Sequence, residues 1–270
     1  MRGMDHDGGR RSPNIDTWQR TLRAEGLAEL YRILPNLMAV NAQDVFPVNH
    51  QARDYSLHEI PSVARIMSHP AVAAIVVMRA DGDVMLEHYR ADHHRSSIFS
   101  DQSSTKTVGY LLLSRALSAG ALTLDDPVES LVPEVGPGFR GRTVGDVASM
   151  AVNHNVAELA AYTGDENAKA MFDRDERMIG MQRNDQRETL RHFITAIEQG
   201  AGDSTTWTGE IANYATINTS VLGLALEHAA KVPLAHQVRD LLHEIGAENT
   251  VNMGTDFDGE PINGASLKCA

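Results

Sequence analysis

The sequence predicts an α+β fold, in which a mixed α/β lobe carries an inserted helical lobe. Two observations support this. Two short apolar runs, Val72–Met78 and Val84–Tyr89, flank an Asp-Gly turn and make a β-hairpin. A long helix-leaning block then follows before an apolar helix returns, the order expected when a helical unit interrupts a sheet-bearing one. The expected division is a disordered start over 1–15, an α/β lobe from 16–120 and 201–270, and a helical lobe over 121–200. With 270 residues, 42% of them hydrophobic and 22% charged, the chain can bury a substantial core as a globular protein.

The elements follow in chain order. A helix is expected from about Asp16 to Leu30, and Pro35 to Pro61 reads as irregular. After the hairpin, the polar stretch Phe99–Lys106 leads into an apolar helix through Val108, Leu111, Leu112, Leu113 and Leu117. That helix stops at Gly120, which accepts a left-handed conformation. Leu122–Val128 makes a turn before a short helix. Thr143 to Met150 reads as another helix, with Thr143 as its cap and Asp146 in its first turn. Residues 155–200 are charged, helix-leaning and poor in β-branched side chains, and Thr205–Asn213 reads as loop. Ile217–Ala230 is an apolar helix and Val232–Ile245 an amphipathic one. Gly254–Ala270 is glycine-rich and shows no finished element.

Charge and composition exclude several classes. A net charge of −12 with no basic run argues against a nucleic-acid or anionic-membrane partner. One cysteine, Cys269, forbids an internal disulfide and suits a reducing compartment. The polar start has no apolar run behind it, and no stretch of about 18 apolar residues exists, so the expected location is cytoplasmic. No cofactor or metal is expected: His93, His94, His154, His192, His228, His236 and His243 lack ligand spacing, and there is no glycine-rich phosphate loop. Asp173–Arg177 reads as a solvated helix face. Asn218-Thr219-Ser220 fits a glycosylation acceptor but lies at a helix start and is discounted.

The chemistry-bearing feature is Ser103-Ser104-Thr105-Lys106. In the first turn of a helix, side chains three residues apart share a face, about 5–6 Å between Cβ atoms. A hydroxyl beside an amine makes a nucleophile, because a partly buried lysine can lose its proton near neutral pH and then accept one from serine. Arginine cannot do this. Only four lysines occur, at 106, 169, 231 and 268, so one at this spot is not background composition. The tetrapeptide alone equally fits a serine cap followed by a surface lysine.

Other segments bear on that choice. Gly120–Val128 reads Gly-Ala-Leu-Thr-Leu-Asp-Asp-Pro-Val, and Tyr214-Ala215-Thr216 precedes Val221–Glu227. With the hairpin and Ser103–Lys106, in this order, they resemble the serine β-lactamase and penicillin-binding-protein superfamily. The resemblance runs from about residue 60 to the end and is nearest to its class C-like esterase and 6-aminohexanoate-dimer hydrolase branch. It implies a serine β-lactamase-like fold, an antiparallel sheet flanked by helices. It also implies a serine hydrolase (carboxylesterase or amidase) acting on a small-molecule ester or amide through an acyl-enzyme on Ser103. Lys106 and Tyr214 would be base and then acid, the Ser103 backbone N–H an oxyanion donor, and Thr216 a substrate contact. Thr216 departs from the usual asparagine, which argues against a dedicated β-lactamase. Relatives continue for about another hundred residues, with further strands and a third motif, so weak or no activity is expected unless a partner chain completes the sheet. A ligand-binding sensor and an inactive remnant are the alternatives.

Overall fold

The computed structural model describes residues 35–90, 93–182, 187–200, 212–264 and 267–269. The helix expected over Asp16–Leu30, the disordered start and most of the loop before Asn213 lie outside these residues. The strands are β1 (Asn36–Ala39), β2 (Ala74–Met78), β3 (Val84–Tyr89), β4 (Phe99–Ser100), β5 (Val251–Gly254) and β6 (Leu267–Cys269). The helices are α1 (Pro61–Ser68), α2 (Thr105–Ser118), α3 (Val128–Leu131), α4 (Val144–Ala148), α5 (Glu158–Tyr162), α6 (Glu166–Met178), α7 (Leu190–Thr195), α8 (Thr216–Ala230) and α9 (Leu234–Glu244).

Four strands form an antiparallel sheet in the order β1-β5-β6-β4, while β2 and β3 pair as the expected hairpin with Gly82 at positive φ in its turn. Three strands correct the sequence reading. β1 lies in the segment read as irregular, β4 in the polar lead-in to α2, and β6 in the tail read as unfinished. Each is too short to show alternation, and each exists through pairing with residues far away in sequence, which local pattern cannot reveal.

The core lies between the four-stranded sheet and the helices. Val251, Met253 and Leu267 face Leu234, Val238, Leu241 and Leu242 of α9 within one continuous apolar cluster. Every residue of α8 from Thr216 to Leu226 is buried, so this helix is enclosed on all sides and central. It packs against α2, α3, α4, α7 and α9. In α2 the buried residues Thr105, Lys106, Gly109, Leu112, Leu113 and Ala116 form one stripe at helical spacing. Gly120 ends α2 at φ 64°, as expected. Thr143 and Asp146 close a reciprocal capping box on α4, each side chain accepting the other's backbone N–H.

Asp173–Arg177 in α6 is not a solvated face. Asp175 is buried, and Arg174 is paired to the buried Glu188, its Nε 2.9 Å from Oε2. The helix lies across α5 and α7, which turns a charged run inward. Asn218, Thr219 and Ser220 are all buried, so that triplet offers no accessible acceptor.

Candidate active site

The sheet delivers Ser103, the candidate nucleophile. Phe99 and Ser100 pair with Cys269 and Lys268, and the Asp101 N–H donates to the Leu267 carbonyl at 2.9 Å. The chain then turns through a short 3₁₀ segment, Gln102–Ser104, into α2. Gln102 holds φ 46°, a left-handed conformation uncommon for a residue with a side chain. That kink leaves Ser103 exposed while Thr105 and Lys106 go inward. The Thr105 hydroxyl accepts the Leu267 N–H at 3.0 Å, fastening the start of α2 to β6. The Ser103 N–H donates to no described residue and remains open at the helix N-terminus.

Lys106 is 5% exposed, and its Nζ lies 3.0 Å from Ser103 Oγ. The same nitrogen donates to the Gly264 carbonyl at 2.7 Å and to Thr216 Oγ1 at 3.2 Å. Among the described residues it has no carboxylate within ion-pair distance. Its three partners, Ser103 Oγ, Thr216 Oγ1 and the Gly264 carbonyl, are all oxygens supplied inside the fold. The surface-lysine alternative is therefore excluded.

Tyr214 also meets the lysine, but through its ring: Nζ sits 5.0 Å from the ring centroid. Among the described residues, its hydroxyl is hydrogen-bonded to neither Ser103 nor Lys106. The side chain is half exposed at the mouth of the site. Thr216 is buried against the lysine, not turned to solvent. The segment carrying both is held from its first residue, because the Asn213 N–H donates to the Met150 carbonyl at 2.8 Å. Asn213 Nδ2 donates to the Val152 carbonyl at 3.2 Å.

Sequence reading missed three neighbours. Gly264 supplies the carbonyl under the lysine, and only glycine fits there, because a Cβ would stand 2.1 Å from Thr216 Cγ2. Glu158, buried at the start of α5, accepts the Thr216 N–H. Asp175 reaches the same region from α6, and burial raises its carboxyl well above the usual range, with the Glu158 charge adding to the shift. Glycine density around residues 254–264 was a faint signal for Gly264, and nothing in the sequence marked the two acids. His154, also buried, is pushed down to about 4 by desolvation and holds Asn218 Oδ1 at 3.1 Å, a structural role. Among the described residues, no group of three or more His, Cys, Asp or Glu side chains is arranged to hold a metal, and no helix is long and apolar enough to cross a membrane.

The beta-lactamase family model matches residues 60–251, well over half of the chain. The chain belongs to the beta-lactamase family. Among solved structures, a Bacillus anthracis protein named as a 6-aminohexanoate-dimer hydrolase superimposes with a TM-score of 0.75 at 14% identity, over 91% of this chain. That establishes the beta-lactamase-like fold. This chain spans 65% of the length of that structure. A D-stereospecific amidohydrolase from Streptomyces sp. aligns over 57% of this chain and 44% of its own, at 22% identity and a TM-score of 0.41, too low to support an argument. No curated protein sequence matches this member of the family.

Proposed function

We propose that this protein is a serine hydrolase that cleaves a small-molecule ester or amide through an acyl-enzyme on Ser103. One observation supports the reading above all others: a buried amine 3.0 Å from the serine hydroxyl, held in place by the Gly264 carbonyl and the Thr216 hydroxyl. In the first step the amine takes the proton of Ser103 as Oγ attacks the carbonyl carbon, forming the C–O bond. The negative charge that develops on the carbonyl oxygen is met by the Ser103 N–H, open among the described residues, aided by the α2 dipole. The lysine then returns the proton to the departing alcohol or amine as that bond breaks. Water repeats the sequence to release the acid.

Tyr214 is assigned to the proton path at the mouth of the site. Its hydroxyl needs only a side-chain adjustment on substrate entry to join it, since catalytic hydrogen bonds are often loose before substrate binds. Thr216 is assigned to the lysine first, and a direct substrate contact is secondary. A covalent sensor with slow release is the second reading. It is favoured by the hairpin, where Val76, Val77 and Met78 are about half exposed and β2 pairs only with β3 among the described strands. An apolar strand with an edge left unpaired by the described strands suits added strands from a partner polypeptide. Incubation with a fluorophosphonate and with a fluorogenic ester tests both. Labelling with turnover supports the hydrolase, labelling without release supports the sensor, and no labelling contradicts both.

A further inference from the structure

The helix that follows Tyr214 has no cap of its own. α8 begins at Thr216 after Ala215, a residue with no side-chain acceptor to offer. The first N–H groups of a helix lack intrahelical partners, and a buried one left unmet is costly. The acceptor comes instead from α5, where Glu158 Oε1 takes the Thr216 N–H across 58 positions of sequence. The carboxylate is 7% exposed and stands at the positive end of the α8 dipole. Burial raises the carboxyl of neighbouring Asp175 well above the usual range.

Thr216 is also the residue whose hydroxyl accepts from Lys106 Nζ at 3.2 Å. Its backbone is therefore fixed by Glu158, and its side chain in turn fixes the lysine. On the other side of Tyr214, the Asn213 N–H is fixed by Met150. Tyr214 hangs between these two anchors. One anchor comes from the C-terminal end of α4 and the other from α5.

We propose that Glu158 is a positioning residue, capping α8 from another helix and thereby holding Tyr214 and Thr216 in register with Lys106. The proposal rests on the acyl-enzyme reading of Ser103. It concerns alignment alone, since Glu158 touches neither the nucleophile nor, in this geometry, its lysine. A carboxamide at the same place keeps the accepting oxygen, a methyl does not, and aspartate keeps the charge but falls one methylene short.

The test uses the full chain as wild type, Glu158→Gln, Glu158→Ala, Glu158→Asp and Ser103→Ala. Two quantities are measured: fluorophosphonate labelling across probe concentrations, and amide hydrogen exchange at Thr216. The expected result is a limiting labelling rate about 10–10²-fold lower in Glu158→Ala, with the half-saturating concentration little changed, because only geometry is lost. Glu158→Gln should stay near wild type in both measurements. Thr216 exchange should accelerate in Glu158→Ala. Should Glu158→Ala fail to fold, Glu158→Asp takes its place, with a smaller loss in the same direction. Lost protection with an unchanged labelling rate would make Glu158 a structural cap only and overturn the proposal, as would unchanged protection. A wild type that labels no better than Ser103→Ala would sink the acyl-enzyme reading and the catalytic part of this inference, while the exchange measurement would still decide whether Glu158 holds the segment.

Discussion

Replacing Gly264 with alanine gives the sharpest quantitative expectation. The added Cβ would stand 2.1 Å from Thr216 Cγ2, 2.8 Å from the Thr216 carbonyl oxygen and 3.1 Å from Thr219 Oγ1. Carbon atoms pack best at about 3.5–4.0 Å, so the 263–264 loop and the start of α8 must part by roughly 1 Å or more. Rotation of the Thr216 side chain does not relieve the crowding, because its backbone carbonyl oxygen would still stand 2.8 Å from the new Cβ. Overpacking of this kind costs about 1–3 kcal/mol. At this chain length each kcal/mol lowers the melting temperature by about 2–4 °C. The same displacement pulls two groups from Lys106, the Gly264 carbonyl at 2.7 Å and the Thr216 hydroxyl at 3.2 Å. A misplacement of about 1 Å in such a constellation can cost about 10²-fold in rate. Thermal melting followed by fluorophosphonate labelling at a temperature where the variant remains folded separates the two effects. Wild-type melting together with wild-type labelling would refute the close packing of this loop on α8 and the lysine geometry built on it.

Two further substitutions probe buried charge elsewhere. Lys268 is fully buried with no partner for Nζ among the described residues, and desolvation lowers it to about 8. A base depressed in the fold costs stability below that pH and regains it as pH rises towards its unfolded value. Lys268→Met should therefore raise stability by on the order of 2–3 kcal/mol at pH 7, with the advantage fading between about pH 8 and 10.5 in paired melts. A flat difference across that range would count against an unpartnered lysine. Glu87 is buried beneath Arg95 and Arg53, and the Arg95 hydrogen bonds bring it down to about 2 despite desolvation. Its contribution is complete above the usual carboxylate range and lost as pH falls through about 2. Glu87→Gln should cost about 1–3 kcal/mol at pH 7, discounted for arginines that are partly in solvent, and the gap to wild type should close in acid. Urea melts at pH 7 and pH 3 check this, and equal stabilities at pH 7 would contradict it.

The closeness of Ser103 and Lys106 was legible because a helix repeat converts a three-residue spacing into proximity without any tertiary knowledge. The hairpin was legible for a similar reason, with two apolar runs and a turn dictating local pairing. Thr143 was legible as a cap with Asp146 in the first turn, and the structure adds that the two close a reciprocal box. What remained hidden depends on contacts across the chain. β1, β4 and β6 are strands only through their partners. Asp175 sits in a run of charges that looks solvated until α5 and α7 are placed against it. Glu158 caps a helix that begins 58 positions later, and Ala215 signals only that a cap is missing. Thr216 was read as a substrate contact from its place after Tyr214, whereas packing turns its hydroxyl to the lysine.

The central claim is that buried Lys106 activates Ser103. Mass spectrometry of the intact chain after fluorophosphonate treatment, on wild type, Ser103→Ala and Lys106→Ala, tests it most directly. The account predicts one adduct on wild type at Ser103, none on Ser103→Ala, and labelling slowed by at least about 10²-fold in Lys106→Ala while that variant stays folded. Equal labelling of wild type and Lys106→Ala, or an adduct that persists in Ser103→Ala, would contradict it.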